Sequence, residues 1–332
     1  MEVLSKMEYS LLTLKDLLLK ESANFLIDTK EWVCHRKQIL KELQSLPLNY
    51  KIMMTESLFL DAVKTFGVEH LYISFSGGKD STVLSHIIRK YYPQILHLFV
   101  DTSCEYPETI SFVEEMRKSG VRINTIIPTD RNGKMWTFER VVSEFGYPMF
   151  SKAVANGIRT YNHAKTEVTK QHSLEYMTRR FPNYLPYLSY PISDLCCEKL
   201  KKGPLKREAH NTGMKCSIIG TLAEESQTRE RDWLHNGSNI FFVKADNQCR
   251  PLSFWTEQDI WDYIELFNIP IAELYNKGYE RNGCMYCGFG VKSEKKRLGM
   301  NRFERLSFTH PQEYDYLISH YTDILDACKI EY

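Results

Sequence analysis

The chain has 332 residues, 43% hydrophobic and 26% charged, with a formal net charge of +1. This length can build two compact units with sizeable cores, and the composition is that of an ordinary globular protein. The near-zero charge excludes a global pull toward polyanions, so any nucleic-acid surface must be a local patch.

No apolar run is long enough to span a bilayer. Residues Met1 to Glu8 lack the charged-then-apolar order of a signal peptide. The expectation is a cytoplasmic protein with no membrane partner. Nine cysteines in such a chain point to metal or catalysis rather than disulfides.

Residues 1–66 read as a helical segment. Leu11, Leu12, Leu14, Leu17, Leu18 and Leu19 form one apolar pattern, and Ile39, Leu40, Leu43 and Leu46 a second. Pro47 and Asn49 break the run before a third helix over Ser57–Phe66. No chemistry is visible here; Lys30, Arg36, Lys37, Lys41 and Lys51 read as a solvated basic face, with a partner or nucleic-acid surface as the minor alternative.

From Val68 strands and helices alternate. Leu71–Phe75 is a strand, Ser76 to Ser81 a glycine loop, and Ser81–Tyr92 a helix. Ile95–Val100 is the next strand, Glu108–Lys118 its helix, and Val121–Pro128 a third strand. Such alternation predicts an α/β fold, a parallel twisted sheet with helices on both faces. Ligands of such sheets bind at the carboxyl ends of strands.

The first strand end reads Ser74-Phe75-Ser76-Gly77-Gly78-Lys79-Asp80-Ser81. Two glycines allow close backbone approach, N–H groups at a helix start face an anion, and Lys79 adds a full charge. This is a cradle for phosphates, with Ser74, Ser76, Gly77, Gly78, Lys79, Asp80 and Ser81 as candidate contacts. Its adjacent glycines exclude the commoner P-loop spacing. The six residues from Ser76 resemble the PP-loop of the ATP pyrophosphatase superfamily, whose members cut ATP between the α- and β-phosphates.

At the second strand end Asp101-Thr102 is followed by Pro107-Glu108-Thr109. Pro107 and Glu108 suit a helix start. The pattern also resembles the ATP sulfurylase small subunit and the phosphoadenylylsulfate (PAPS) reductase family.

Residues 129–190 are less legible. Trp136–Phe145 and Lys165–Arg179 read as helices, and Tyr184 to Pro191 as an extended aromatic connection, either a lid or packing. A basic stretch follows: Lys199, Lys201, Lys202, Lys206 and Arg207. Cys216–Gly220 is a further strand, with Gly220 at its end and Arg229 and Arg231 beyond. After a hairpin-like region, Thr256 caps a helix with Asp259 three residues on. The run from Lys292 to Arg305 holds six basic residues and could touch a nucleic-acid backbone, and the tail from Arg302 reads as helical.

Cys196, Cys197, Cys284 and Cys287 form a constellation. The two-residue gap of the second pair turns both thiolates toward one metal group. Four thiolates suit a 4Fe–4S cluster, with structural zinc as the lesser alternative because adjacent cysteines diverge on a tetrahedral ion. The pattern resembles the adenylylsulfate (APS) reductases of the PAPS reductase family, as do Pro251-Leu252, Trp255-Thr256, Asp259-Ile260-Trp261 and Gly283-Cys284. Cys34, Cys216 and Cys249 read as buried small hydrophobes. Cys104, beside the nucleotide site, reads as mainly structural, with carriage of sulfur as the lesser alternative.

Two features depart from the reductases. Cys328 is a lone tail cysteine without the family's tail motif, and Leu222 replaces the arginine of Gly-x-Arg-x-x-Glu-Ser. A full PP-loop beside four cysteines resembles instead the ATP pyrophosphatases of DNA phosphorothioation (DndC- and SspD-like proteins) and some tRNA-thiolating enzymes.

This resemblance implies a nucleotide domain over 67–226 and a C-terminal region over 227–332. It implies ATP and Mg²⁺ at Lys79, Asp80, Ser81, Asp101, Thr102 and Gly220. The implied activity is adenylation of an acceptor for sulfur transfer. Lys199, Lys202, Arg229 and Arg231 read either as a solvated basic loop or as the surface that would meet an anionic acceptor such as DNA or tRNA, with a cysteine desulfurase or another sulfur donor as partner. The alternative is an APS or PAPS reductase using Cys328 and thioredoxin. A nucleotide-binding scaffold or regulatory subunit is the alternative of another class.

Overall fold

A computed structural model describes residues 30–243 and 246–332. The leucine pattern from Leu11 to Leu19 lies outside the described residues. The strands in chain order are β1 (Leu71–Ser74), β2 (Leu96–Val100), β3 (Ile123–Ile126), β4 (Met149–Phe150), β5 (Cys216–Ile218), β6 (Asn239–Ile240), β7 (Asn247–Cys249) and β8 (Gly288–Phe289). The described residues divide into two compact units that interleave in sequence: 30–74, 79–95, 214–243 and 246–270 in one, and 75–78, 96–213 and 271–332 in the other.

The first unit carries strands in the order β1-β5-β7-β6. β1 pairs parallel with β5 and β5 with β7, while β6 runs antiparallel to β7. The antiparallel edge is the hairpin-like region of the sequence. Leu71, Tyr72 and Ile73 of β1 are all buried, as in a strand covered on both faces.

The Leu48–Phe66 helix begins nine residues before the expected Ser57. Pro47 opens this helix instead of merely breaking the previous one, because proline at a first turn forfeits no hydrogen bond. Lys51 is buried in this unit. Its ammonium meets Asp259 Oδ2 at 2.6 Å and donates to the Gln44 carbonyl at 2.7 Å. Asp259 also accepts from the Thr256 backbone N–H and hydroxyl, completing the expected capping box of the Glu257–Phe267 helix. Cys216 and Cys249 are buried as expected, whereas Cys34 is exposed, on the solvent side of the Lys30–Gln44 helix.

The second unit pairs β2 with β3 and β4 with β8, both parallel. Its helices include Pro107–Lys118, Phe138–Phe145, Glu167–Arg180, Arg302–Thr309 and Pro311–Ala327. A helix over Lys152–Asn162 was not expected; its polar residues hide the pattern, but Ser151 caps it and Val154, Ala155 and Ile158 are buried. Residues Pro182–Tyr187 form a short 3₁₀ segment rather than an extended connection. Tyr184 and Tyr187 both pack on Phe150, with ring centroids 4.8 Å away, so this segment is packing. Mostly parallel strands surrounded by helices place the chain in the α/β class. Among the described residues no helix is long and apolar enough to cross a membrane.

Candidate nucleotide and thiol sites

The phosphate-loop residues come directly after β1. Gly77 has φ +71°, a region that strains any residue with a side chain. A Cβ there would also sit 2.9 Å from Thr109 Cγ2 and 3.0 Å from Val113 Cγ2. Gly78 is required for a different reason: a Cβ would lie 2.3 Å from Asn282 Oδ1. Asn282 Nδ2 donates to the Ser76 carbonyl at 2.7 Å, and the Gly78 N–H donates to Ser76 Oγ at 3.3 Å. Ser76 itself is exposed, and Ser74 at the end of β1 is half-buried.

The next helix starts at Lys79, which is buried together with Ser81. Lys79 Nζ lies 3.1 Å from Asp80 Oδ1, 3.3 Å from Glu257 Oε1 and 5.9 Å from the Trp261 ring centroid. Burial raises the Asp80 pKa, opposed by Lys79 and reinforced by Glu225 and Glu257. Gly220 closes on this helix start: a Cβ would be 3.0 Å from the Asp80 carbonyl oxygen and 3.3 Å from Ser81 Cα. Lys79, Asp80, Ser81 and Gly220 are thus brought together.

Beyond β2, Asp101 Oδ1 accepts from the Ser103 N–H at 2.9 Å. Thr102 is buried, and both its N–H and its hydroxyl donate to Glu105, at 2.8 and 2.9 Å. The Glu105 carboxylate in turn meets Lys201 Nζ at 3.2 Å. Thr102 therefore braces the loop after β2 through Glu105.

Cys196 and Cys197 open a helix interrupted by a π-helical turn over Glu198–Lys202. Such turns often mark functional positions, since the extra residue rotates the helix beyond it. The Cys196 thiol donates to Cys197 Sγ at 4.0 Å. That bond, with Lys152 and Lys201 nearby, lowers the Cys197 pKa to about 5 despite burial. The same bond pushes Cys196 up, helped by burial and by the other cysteines. Cys284 and Cys287 are held in a turn by the Cys287 N–H on the Cys284 carbonyl at 3.2 Å. Burial raises both, Cys287 to about 11, with Lys201 opposing at Cys284 and Arg302 at Cys287.

The four thiols are close enough to shift one another, and three cations stand among them. Lys201 is held charged: burial opposes its charge, but Cys284, Glu105 and Cys197 outweigh it. Among the described residues no three His, Cys, Asp or Glu side chains are gathered as a ready-made site for a single metal ion. The donor set, four sulfurs flanked by cations that offset thiolate charge, fits a multi-iron group in chemistry.

The phosphoadenosine phosphosulfate reductase domain matches residues 70–146 and 149–288. The chain belongs to this family. It is 27% identical over 239 residues to the adenosine 5'-phosphosulfate reductase of Halalkalibacterium halodurans, covering 72% of this chain and 82% of that protein. It is 23% identical over 240 residues to a phosphoadenosine 5'-phosphosulfate reductase of Xylella fastidiosa, covering 72% and 81%. Among solved structures, the phosphoadenylyl-sulfate reductase of Candida auris, in a phosphate complex, aligns over 78% of this chain and 97% of its own at 16% identity, with a TM-score of 0.44.

Within the family's matched region lie the phosphate loop, Asp101, Thr102, Gly220 and all four clustered cysteines. The expected acceptor residues are scattered in character. Lys199 lies over the Trp136 and Phe145 rings, 5.5 and 4.8 Å from their centroids. Arg229 pairs with Glu225, while Lys202 and Arg231 are exposed. In the basic run from Lys292 to Arg305, expected as a second nucleic-acid surface, three of the six cations are paired: Lys295 with Glu304, Arg297 with Glu280 and Arg302 with Glu294.

Sequence reasoning passed over Asn282, Lys152, Glu105 and Arg302 and placed Lys201 only in a basic run. Asn282 and Arg302 had a signal, lying two residues before Cys284 and at a helix start; Lys152 had none. Cys104 belongs beside the thiols rather than beside the nucleotide alone. It is buried, its carbonyl accepts the Met285 N–H at 2.8 Å, and burial together with Cys284 pushes its thiol up.

Proposed function

We propose that the chain is a PP-loop ATP pyrophosphatase that adenylates an acceptor for sulfur transfer, with a 4Fe–4S cluster on Cys196, Cys197, Cys284 and Cys287. The observation that carries the reading is the phosphate loop itself. Both of its glycines are sterically required, and Lys79 is buried at the helix start against the Asp80 and Glu257 carboxylates. A loop kept in this form suits the triphosphate of ATP.

The backbone N–H groups of Gly77 and Gly78 hold phosphate oxygens, and Lys79 exchanges its carboxylate partners for them. Asp80 is the residue to hold Mg²⁺. An acceptor oxygen attacks the α-phosphorus, the bond to the β-phosphate oxygen breaks, and pyrophosphate leaves with that electron pair. A sulfur nucleophile then displaces AMP from the acceptor. Positioning and charge neutralisation supply the catalysis. The cluster, when bound, supplies a thiophilic centre for sulfur delivery. Lys201, Lys152 and Arg302 neutralise the thiolates that hold it. Lys202 and Arg231, both exposed, are the residues left to meet an anionic acceptor such as DNA or tRNA.

A second reading, reduction of adenylylsulfate with thioredoxin, is favoured by the names of the relatives above. Cys328 argues against it as the attacking thiol, being buried with its pKa pushed up to about 11. One experiment separates the two: protein purified without oxygen, given Mg²⁺ and ATP labelled at the α-phosphate, with and without DNA or tRNA. AMP and pyrophosphate support the proposal. No AMP, with sulfite released from APS or PAPS and a thiol, replaces it by the reductase.

A further inference from the structure

We propose that Asn282 is a positioning residue that couples filling of the thiol site to the shape of the phosphate loop. The inference rests on the reading that the four cysteines hold a metal group. It concerns the segment Asn282–Cys287, which is tied to two strand-end loops. Asn282 Nδ2 donates to the Ser76 carbonyl at 2.7 Å, in the loop after β1. The Met285 N–H donates to the Cys104 carbonyl at 2.8 Å, in the loop after β2. Between these two ties stands Cys284, and the Cys284–Cys287 turn completes the segment.

The bond to Ser76 has a directional consequence. The Ser76 carbonyl and the Gly77 N–H belong to one planar trans peptide and point in opposite directions. Fixing the carbonyl on Asn282 therefore aims the Gly77 N–H away from Asn282, as a donor for phosphate. The flat contact between the Asn282 carboxamide and Gly78, where even a methyl group would lie 2.3 Å from Oδ1, restricts the next peptide as well. A metal group bound by Cys284 and Cys287 immobilises the segment two residues from Asn282. The loop is then held in its phosphate-binding form when the thiol site is filled and is looser when it is empty. Linkage makes the effect reciprocal: nucleotide on the loop retains the metal group.

The test is hydrogen exchange at the Gly77 and Gly78 amides of the full chain, metal-loaded and chelator-stripped. Loading is verified first by visible absorbance. In the wild type, loading slows exchange at these amides by about 10-fold, within the usual range of coupling between sites. In Asn282→Ala the difference disappears while the absorbance of the loaded protein is retained. Asn282→Asp keeps the size but cannot donate to the Ser76 carbonyl, and it gives the same loss should the alanine variant fold poorly. Equal exchange in loaded and stripped wild type, or a difference that survives in both variants, overturns the coupling. A chain that takes up no metal group fails at the absorbance step and removes the metal reading together with the coupling. Formation of AMP and pyrophosphate from ATP by the loaded wild type tests the pyrophosphatase reading separately, since the exchange measurement needs no nucleotide.

Discussion

Gly77→Ala tests why the phosphate loop has its sequence. Two independent costs apply. At φ +71° an alanine costs about 1–2 kcal/mol for the left-handed conformation alone. Its Cβ would also meet Thr109 Cγ2 at 2.9 Å and Val113 Cγ2 at 3.0 Å, on the packed side of the Pro107–Lys118 helix. Overpacking of that kind costs about 1–3 kcal/mol. The sum is about 2–5 kcal/mol against a total stability of about 5–15 kcal/mol. Urea denaturation followed by far-UV circular dichroism should show the loss as a lower midpoint at unchanged slope. Thr109→Ser removes Cγ2, the nearer clashing atom, so Gly77→Ala should cost about 1 kcal/mol less in that background, with the conformational part remaining. A Gly77→Ala protein within about 0.5 kcal/mol of the wild type would refute both the close packing and the backbone conformation assigned to this loop.

Four further outcomes rest on the same geometry. Lys79→Ala should abolish pyrophosphate release while leaving the visible absorbance of the thiol site; persistence of pyrophosphate release, read as orthophosphate by malachite green after added inorganic pyrophosphatase, would take the loop out of the chemistry. Asp259→Ala should cost about 3–5 kcal/mol in denaturant titration, because it leaves the buried Lys51 ammonium without its counter-charge and uncaps the Glu257–Phe267 helix. Cys328→Ser should leave turnover intact. It should also alter alkaline stability in a defined window: the wild-type thiol titrates near its ordinary value when unfolded but at about 11 when folded. Its contribution is fully present below the unfolded value and is lost as pH rises to about 11, at up to about 1.4 kcal/mol per pH unit, a slope the serine variant should lack. Cys197→Ser and Cys287→Ser should each strip bound iron, measured by metal analysis, whereas Cys216→Ser on β5 should not.

The strand-loop-helix order around Ser76–Ser81 was legible because it is local: an apolar run, two glycines and an amphipathic helix succeed one another without a break. The Thr256 cap with Asp259 was legible for the same reason. Partners brought by tertiary structure were not. Asp259 also binds Lys51, and no spacing links positions so far apart. The Lys152–Asn162 helix escaped because Lys152, Asn156, Arg159, Thr160 and Asn162 mask three buried apolar positions. The Lys292–Arg305 run read as a nucleic-acid surface because charge in a sequence shows only one partner of each pair. Glu280, Glu294 and Glu304 supply the others.

The thiol site shows why its cations matter more than the cysteine count. Four thiolates in one partly buried site repel one another, so without compensation protons must stay on most of them. The proton distribution is uneven: Cys197 ionises near 5, aided by the Cys196 thiol and by Lys152 and Lys201, while Cys196 keeps its proton and Cys287 rises to about 11. Loading a metal group must release the retained protons, and it is opposed at acidic pH for that reason. Lys201 is the cation common to Cys197, Cys284 and Glu105, and Thr102 fixes Glu105 in turn. Replacing Lys201 by methionine keeps the apolar stem but deletes the charge that offsets two thiolates and a carboxylate. The variant should therefore bind iron at least about 10-fold more weakly, within the range expected for partners that support metal ligands, at unchanged secondary structure. Iron retained in Lys201→Met after the same chelator exposure as wild type would show that the thiols hold their metal without this charge.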